Sequence, residues 1–218
     1  MKIQRAHFGF TLIELLITLG MMAILIMIAA PSMERAIQTS SVKGHHRDFQ
    51  AALAFSRGEA LTRAKPISMC PSDDGVSCDT TNNEWSNGWL IFAEDGAIDG
   101  VFTGDDELLR VHEYDGNNTA TIIDPLLNAG AALGSLSWNH RGFSAGEFLA
   151  PGTSATPRSL RALVTICPSD GEVRYARGVL MAVSGRAIAT RDTDGDLIHD
   201  TLFEEDDGTT EEAELICR

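Results

Sequence analysis

The sequence predicts an α+β protein in which one long N-terminal helix, membrane-spanning over its first half, packs on a small antiparallel β domain. Three observations carry that expectation. Residues 10–30 form a nearly unbroken apolar stretch. A stripe of apolar residues at helical spacing follows, as far as residue 60. Short apolar runs alternating with turn-rich segments fill the rest of the chain.

Bulk properties bound the answer. At 218 residues and 44% hydrophobic, the chain can bury one sizeable core. Seventeen Lys and Arg against 31 Asp and Glu give a net charge of −14. Such a balance favours solubility and disfavours non-specific contact with nucleic acid or anionic lipid. The four cysteines, Cys70, Cys78, Cys167 and Cys217, form an even set with three conceivable pairings. Their spacing fits no common zinc pattern. Disulfides are expected, which places the body of the chain in an oxidising compartment.

The N-terminus comes first. Lys2 and Arg5 form a short basic leader, and Phe10 to Ala30 is apolar except for Thr11, Glu14, Thr18 and Gly20. That length spans a bilayer, whereas a secretory apolar core is nearer to roughly 7–15 residues. The basic leader should stay cytoplasmic, so the remainder faces the other side. An ordinary cleaved signal is the rival reading, but "IAAPSM" is a poor A-x-A site. Pro31 is expected to break or bend the helix. Glu14 is the anomaly, because an ionised side chain in hydrocarbon costs roughly 2.5–3.5 kcal/mol even on a lenient scale.

Beyond Pro31, Met33, Ile37, Val42, Phe49, Leu53, Ser56 and Ala60 approximate a 3.6-residue stripe. Glu34, Arg35, Lys43, Arg47, Asp48 and Arg57 fall mostly on the other faces, and Lys65-Pro66 ends the pattern. The expected layout is a leader over 1–9, a spanning helix over 10–31, its amphipathic continuation over 32–64 and a β-rich domain over 65–218. Strands are expected at Ile67–Cys70, Gly88–Ala93, Leu108–Glu113, Ser135–Asn139, Arg161–Cys167, Gly178–Val183 and Arg186–Thr190. "VLMAVSGRAIAT", with apolar runs flanking Ser184-Gly185, is the best hairpin signal. No repeat at a solenoid period is visible.

"GFTLIELLITLGMMAILIMIAAP" resembles the N-terminal signature of type IV pilins and type II secretion pseudopilins. The resemblance implies that a prepilin peptidase cuts between Gly9 and Phe10 on the cytoplasmic face and then N-methylates Phe10. Cleavage there leaves the apolar helix attached in the bacterial inner membrane, single-pass, with the globular domain periplasmic until it joins a filament. It also accounts for Glu14. The new α-amine at Phe10 is a cation that must enter an apolar filament core, and a buried charge is tolerable only when paired. Glu14, one turn into the helix, can neutralise the amine of a neighbouring subunit and suits the positive end of the helix dipole.

The body resembles one subgroup, the FimT/FimU minor pilins and GspH pseudopilins, through "FQAALAFSRGEALTRAKPISMC", "WSNGWLIFAEDG", "LSWNHRGFS" and "AVSGRAIA". The fold implied is pilin-like, a helix spine laid against small β-sheets. Some members linked to DNA uptake carry G-R-x-R in the late hairpin. Here Gly185-Arg186-Ala187-Ile188 keeps Arg186 and replaces the second arginine. Loss of the leader also removes Lys2 and Arg5, taking the net charge from −14 to −16. Since phosphate contacts supply most non-specific DNA affinity, DNA is an unfavoured partner.

A long acidic extension, residues 191–214, is the second departure. Within "DTDGDLIHD", Asp192, Asp194, Asp196 and Asp200 occupy positions 1, 3, 5 and 9, oxygen donors on a glycine-containing loop of the kind Ca²⁺ favours. The spacing resembles calcium-binding Asp repeats such as thrombospondin type 3. It departs from an EF-hand, with Leu197 at the glycine position and Phe203 at position 12. The alternative is a solvated acidic loop. For the cysteines, the expected pairs are Cys70–Cys78, closing the short loop "CPSDDGVSC", and Cys167–Cys217, tying the C-terminus to a central strand.

No catalytic constellation emerges. "HHRD" at His45–Asp48 sits on the helix without a phosphate loop or magnesium motif, and no G-x-S-x-G, H-E-x-x-H or C-x-x-C occurs. The functional expectation is therefore a non-enzymatic, membrane-anchored minor pilin that joins or primes a type IV pilus. Its partners would be other major and minor pilins and the prepilin peptidase. An H-like pseudopilin of type II secretion is the alternative within the class, and a DNA-binding minor pilin for natural transformation is the alternative outside it.

Overall fold

Helix α1 runs from Leu12 to Arg63 over 52 residues of a computed structural model. The structure describes residues 11–81, 84–96, 98–114, 118–123, 133–145, 162–196, 198–204, 210–215 and 217. The chain divides into two units between Gln38 and Thr39. The expected break at Pro31 does not occur, as the helix continues through it. A proline removes one i→i−4 hydrogen bond, and the turns on either side keep theirs.

In the first unit every large apolar side chain from Leu12 to Ile28 is more than half exposed. A helix apolar on all sides has no polar face to turn to water and needs hydrocarbon or other helices around it. Among the described residues α1 is the one helix long and apolar enough to cross a membrane. Met33 and Ile37, expected to open the packed stripe, are also exposed. Both lie in the first unit, where helical periodicity by itself does not establish burial.

From residue 39 onward the helix is one-sided. Val42, His45, Phe49, Ala52, Leu53, Ser56 and Ala60 are buried at spacings of three and four, and Lys43, Arg47 and Asp48 face solvent. The helix stops at Arg63, where Ala64 takes a left-handed φ of +53° ahead of Lys65-Pro66.

Eleven strands appear among the described residues: β1 Ile67–Pro71, β2 Gly88–Ala93, β3 Glu107–Glu113, β4 Thr119–Ile123, β5 Leu136–Trp138, β6 Ser144–Ala145, β7 Ala162–Cys167, β8 Arg177–Met181, β9 Ala187–Ala189, β10 Asp200–Glu204 and β11 Thr210–Glu214. Every pairing is antiparallel. They form a five-stranded sheet in the order β3-β2-β1-β5-β6, a four-stranded sheet in the order β4-β7-β8-β9 and the hairpin β10-β11.

One core joins α1 to one face of each larger sheet: Trp89, Ile91 and Trp138 from the first, Ile122, Val164, Ile166 and Val179 from the second. The reverse faces are also covered. Leu90 and Phe92 pack with Cys70 and Phe102, while Leu163 and Cys167 pack with Ala176 and Leu215. Two-sided burial explains why β2 ("GWLIFA") and β7 ("ALVTIC") are continuous apolar runs rather than alternating ones.

Aromatic rings set the helix against the first sheet. Phe49 meets Trp85 and Trp89 edge-on at 5.8 and 4.9 Å. The His45 ring stacks on Tyr114 at 3.8 Å, and Trp89 stacks on His112 at 4.1 Å. Neither ring nitrogen of His45 has a hydrogen-bond partner among the described residues. Burial, reinforced by the neighbouring His112, pulls the His45 pKa from 6.5 down to about 4. An unfolded chain thus takes up this proton at about pH 6.5 while the native chain refuses it until about pH 4. Stability should be fully present above pH 6.5 and fall between those values by about 3 kcal/mol. We expect His45→Phe, which keeps the stack, to abolish that part of the acid-side loss. Denaturant melts followed by tryptophan fluorescence at pH 7 and pH 4 would measure it.

Candidate functional site

At the head of α1, Thr11 accepts a hydrogen bond at its Oγ1 from the Glu14 backbone N–H at 3.3 Å. This cap lets the helix begin at once after residue 11. The Glu14 carboxylate is exposed among apolar neighbours and makes no ion pair among the described residues. Gly9 and Phe10 lie outside the described residues.

Two of the sequence stretches singled out above, "LSWNHRGFS" and "AVSGRAIA", meet in space. Trp138 donates from Nε1 to the Gly185 carbonyl at 3.1 Å, and Ser144 donates from N and Oγ to the Val183 carbonyl, both at 3.1 Å. Asn139 shapes the facing turn by accepting at Oδ1 from the N–H groups of Arg141 and Phe143. Arg57 reaches in from α1 and donates from Nε to the Gly142 and Ser184 carbonyls at 3.1 and 3.4 Å. One arginine thus ties the helix to a turn from each sheet. Sequence reasoning placed Arg57 on the polar face and missed this role. The turn chemistry of Asn139 and Gly142, facing a Ser-Gly hairpin, was the available signal.

The hairpin tip fits only because residue 185 is glycine. Its φ is +72°, and a Cβ there would lie 2.1 Å from the Gly142 carbonyl oxygen. Arg186, beside it, is exposed, and Ile188 is exposed where a second arginine would stand.

The cysteines form two bridges, Cys70–Cys78 and Cys167–Cys217. In the first loop Asp74 accepts from the Val76 and Ser77 N–H groups and from the Ser77 hydroxyl, which holds its carboxyl well below the usual range. In the acidic extension, Asp192, Asp194 and Asp200 bring one carboxylate oxygen each within 4.8 Å of one another, and Asp196 is not in that group. The aspartates also build the loop. Asp192 caps Gly195 N–H, Asp194 caps Asp196 N–H, Asp196 caps Ile198 N–H and Asp200 accepts from Thr193 N and Oγ1. Asp194 and Asp196 each accept from the N–H two residues on, the contact of an Asx turn, while Asp200 reaches back seven residues to Thr193. Beyond the loop the extension is a strand pair, β10 against β11.

The family model for type II transport protein GspH matches residues 45–185, and the prokaryotic N-terminal methylation motif matches residues 4–30. This chain belongs to the GspH family. The family is one of structural pilins and pseudopilins, which assemble with other pilins after prepilin processing. Among solved structures, the chain is similar to the type IV minor pilin FimU of Pseudomonas aeruginosa in two crystal forms. One match has 19% identity over 73% of this chain and 92% of that chain, with a TM-score of 0.44. The other has 19% identity over 69% and 90%, with a TM-score of 0.43. No curated protein matches the chain.

The GspH match ends at Gly185, so Arg186, the acidic loop, β10-β11 and Cys217 lie beyond it. The second bridge closes a loop of 50 residues against 8 for the first. Chain entropy then gives about 4 kcal/mol for Cys167–Cys217 and about 2.5 for Cys70–Cys78. We expect Cys217→Ser to lower the melting temperature more than Cys78→Ser in non-reducing buffer. Gly185→Ala should be destabilising by about 1–3 kcal/mol through strain alone, whereas Gly104→Ala, with open space around it, should stay within about 0.5 kcal/mol. Thermal melts of the four variants check both orderings.

Proposed function

We propose that this GspH-family chain is a minor pilin that enters or primes a type IV pilus after cleavage between Gly9 and Phe10. The observation that carries the proposal is the apolar, exposed first stretch of α1 headed by a lone carboxylate, Glu14. In the membrane this stretch is an anchor, with the leader cytoplasmic and the globular unit periplasmic. In a filament the same surface packs on the helices of neighbouring subunits. Glu14 then pairs with the methylated amine of a neighbour's Phe10, replacing two isolated charges in an apolar core by one neutral pair.

The pseudopilin of a type II secretion system is the second reading, favoured by the family itself, that of type II transport protein GspH. The physics of α1 is common to both, so the discriminating measurement is cellular. Deleting the gene should abolish surface pili while leaving protein export intact, and the converse result would establish the secretion reading. DNA is not the partner we propose, because Arg186 stands without a second arginine at Ile188 on a chain of net charge −14.

Glu14→Ala should insert, be processed and accumulate in the inner membrane, yet be absent from sheared filaments. Gly9→Val should leave the chain longer by the uncut leader. Mass spectrometry of the mature N-terminus and immunoblots of sheared fractions test the pair, and normal incorporation of Glu14→Ala would refute the pairing role.

A further inference from the structure

A cavity of about 350 Å³ in the globular unit is lined by Thr39, Arg174, Tyr175, Arg177, Asp192 and His199. Three distant stretches of sequence meet there: α1, the 3-10 turn Val173–Tyr175 leading into β8, and the acidic loop. Arg177 is the unusual member. It is half-buried, yet no carboxylate lies within ion-pair reach among the described residues. Among the described residues its one hydrogen bond runs from a terminal guanidinium nitrogen to the adjacent Ala176 carbonyl at 2.7 Å, leaving most of its five donors unused there. Burial lowers its pKa, the mark of a cation held partly out of water without compensation. A chain with 31 acidic residues against 17 basic ones had ample means to pair it. An uncompensated, half-desolvated guanidinium facing a cavity points to an anion from outside.

The surroundings narrow the class of anion. Arg174 adds a second guanidinium, exposed and 3.7 Å from the equally exposed Glu172. Asp192 supplies one negative charge, its Oδ1 engaged by Gly195 N–H. His199 holds Nδ1 against the Thr190 carbonyl, and the nearby His46 holds Nε2 against the Gly178 carbonyl. Burial first, then the Arg177 charge, lowers both imidazoles. Near neutrality the lining carries two arginines and one aspartate, with Glu172 beside Arg174 and with Asp194 and Asp200 beside Asp192. Arg177 is the lining cation without a carboxylate beside it among the described residues, which suits a monoanion, while the carboxylates around Asp192 and Arg174 repel a dianion. The planar fork of an arginine matches a carboxylate in a bidentate pair, and the Tyr175 hydroxyl adds a neutral donor. The volume suits a side chain with its peptide rather than a bare ion.

We propose that this cavity binds a carboxylate presented by another polypeptide, an acidic side chain of a neighbouring filament subunit, with Arg177 as the clamp and Arg174 at the rim. The source of the carboxylate rests on the filament reading above. The carboxylate chemistry rests on the cavity alone.

The test uses the full chain in detergent micelles, so it does not depend on filament entry. N-acetyl-glutamate amide, N-acetyl-glutamine amide and inorganic phosphate are titrated while the ring resonances of Tyr175 and His199 are followed by NMR. We expect saturable shifts with the glutamate probe, none with the glutamine probe, and weaker binding of phosphate than of glutamate. Arg177→Gln should bind the glutamate probe about tenfold more weakly, the loss of one charge-assisted pair, while its melting temperature changes little because no internal ion pair is lost. Phosphate binding at least as tightly as the glutamate probe, equal shifts with the glutamine probe, or undiminished binding by Arg177→Gln would overturn the proposal. If Arg177→Gln fails to fold, Arg177→Lys decides in its place. It keeps the charge without the fork, so weaker glutamate binding supports the clamp and undiminished binding overturns it.

Discussion

The constraint on which the globular unit depends is the buried face of α1 between Val42 and Ala60. Both larger sheets contribute one face to the cluster that holds Val42, Phe49, Ala52, Leu53 and Ala60, so a single core serves three elements. Small residues at Ala52, Ser56 and Ala60 leave room for the sheets, and Phe49 and Leu53 fill the space between. Ser56 is accommodated because its hydroxyl bonds back to the Ala52 carbonyl at 2.9 Å, so no polar group is stranded in the core. Arg57, one residue on, fixes the turns of both sheets from the edge of that face.

This arrangement divides one helix between two solvents. From Leu15 to Ile28 the side chains are apolar on almost every side, and after Thr39 they are apolar on one face only. The first pattern demands a surrounding that the chain does not provide, whether lipid or other helices. The second is satisfied within the chain. A subunit built this way can leave a membrane for a filament without refolding, because the part that changes surroundings is not the part that holds the core.

The region beyond the family match follows different physics. The acidic loop is organised by its own aspartates acting as turn caps, and Cys167–Cys217 anchors its far end to β7. Ordering the loop brings Asp192 and His199 to the same cavity as Arg174 and Arg177. The extension thereby completes a cavity whose two arginines come from within the family-like body.

By itself the sequence determined the class of fold and the character of its parts. Helical periodicity, a bilayer-length apolar run and apolar segments between turns are local signals, and they sufficed for α1 and seven strands. Four strands were not legible. β4 ("TATII") is flanked by Asn and Asp that read as loop, β6 is two residues long, and β10-β11 carries acidic residues of low strand propensity. Their pairing is a backbone interaction with partners distant in sequence, which no local pattern records. The same holds for the site. Glu14 and the cysteines stood out because a charge in an apolar run and an even set of thiols are anomalies of composition. Arg57, His45 and Arg177 looked like ordinary polar residues. Only the tertiary structure decided that one is a clasp, one is a buried ring whose nitrogens find no hydrogen-bond partner among the described residues and one is a half-desolvated cation, because burial and pairing are properties of the neighbours that folding brings together.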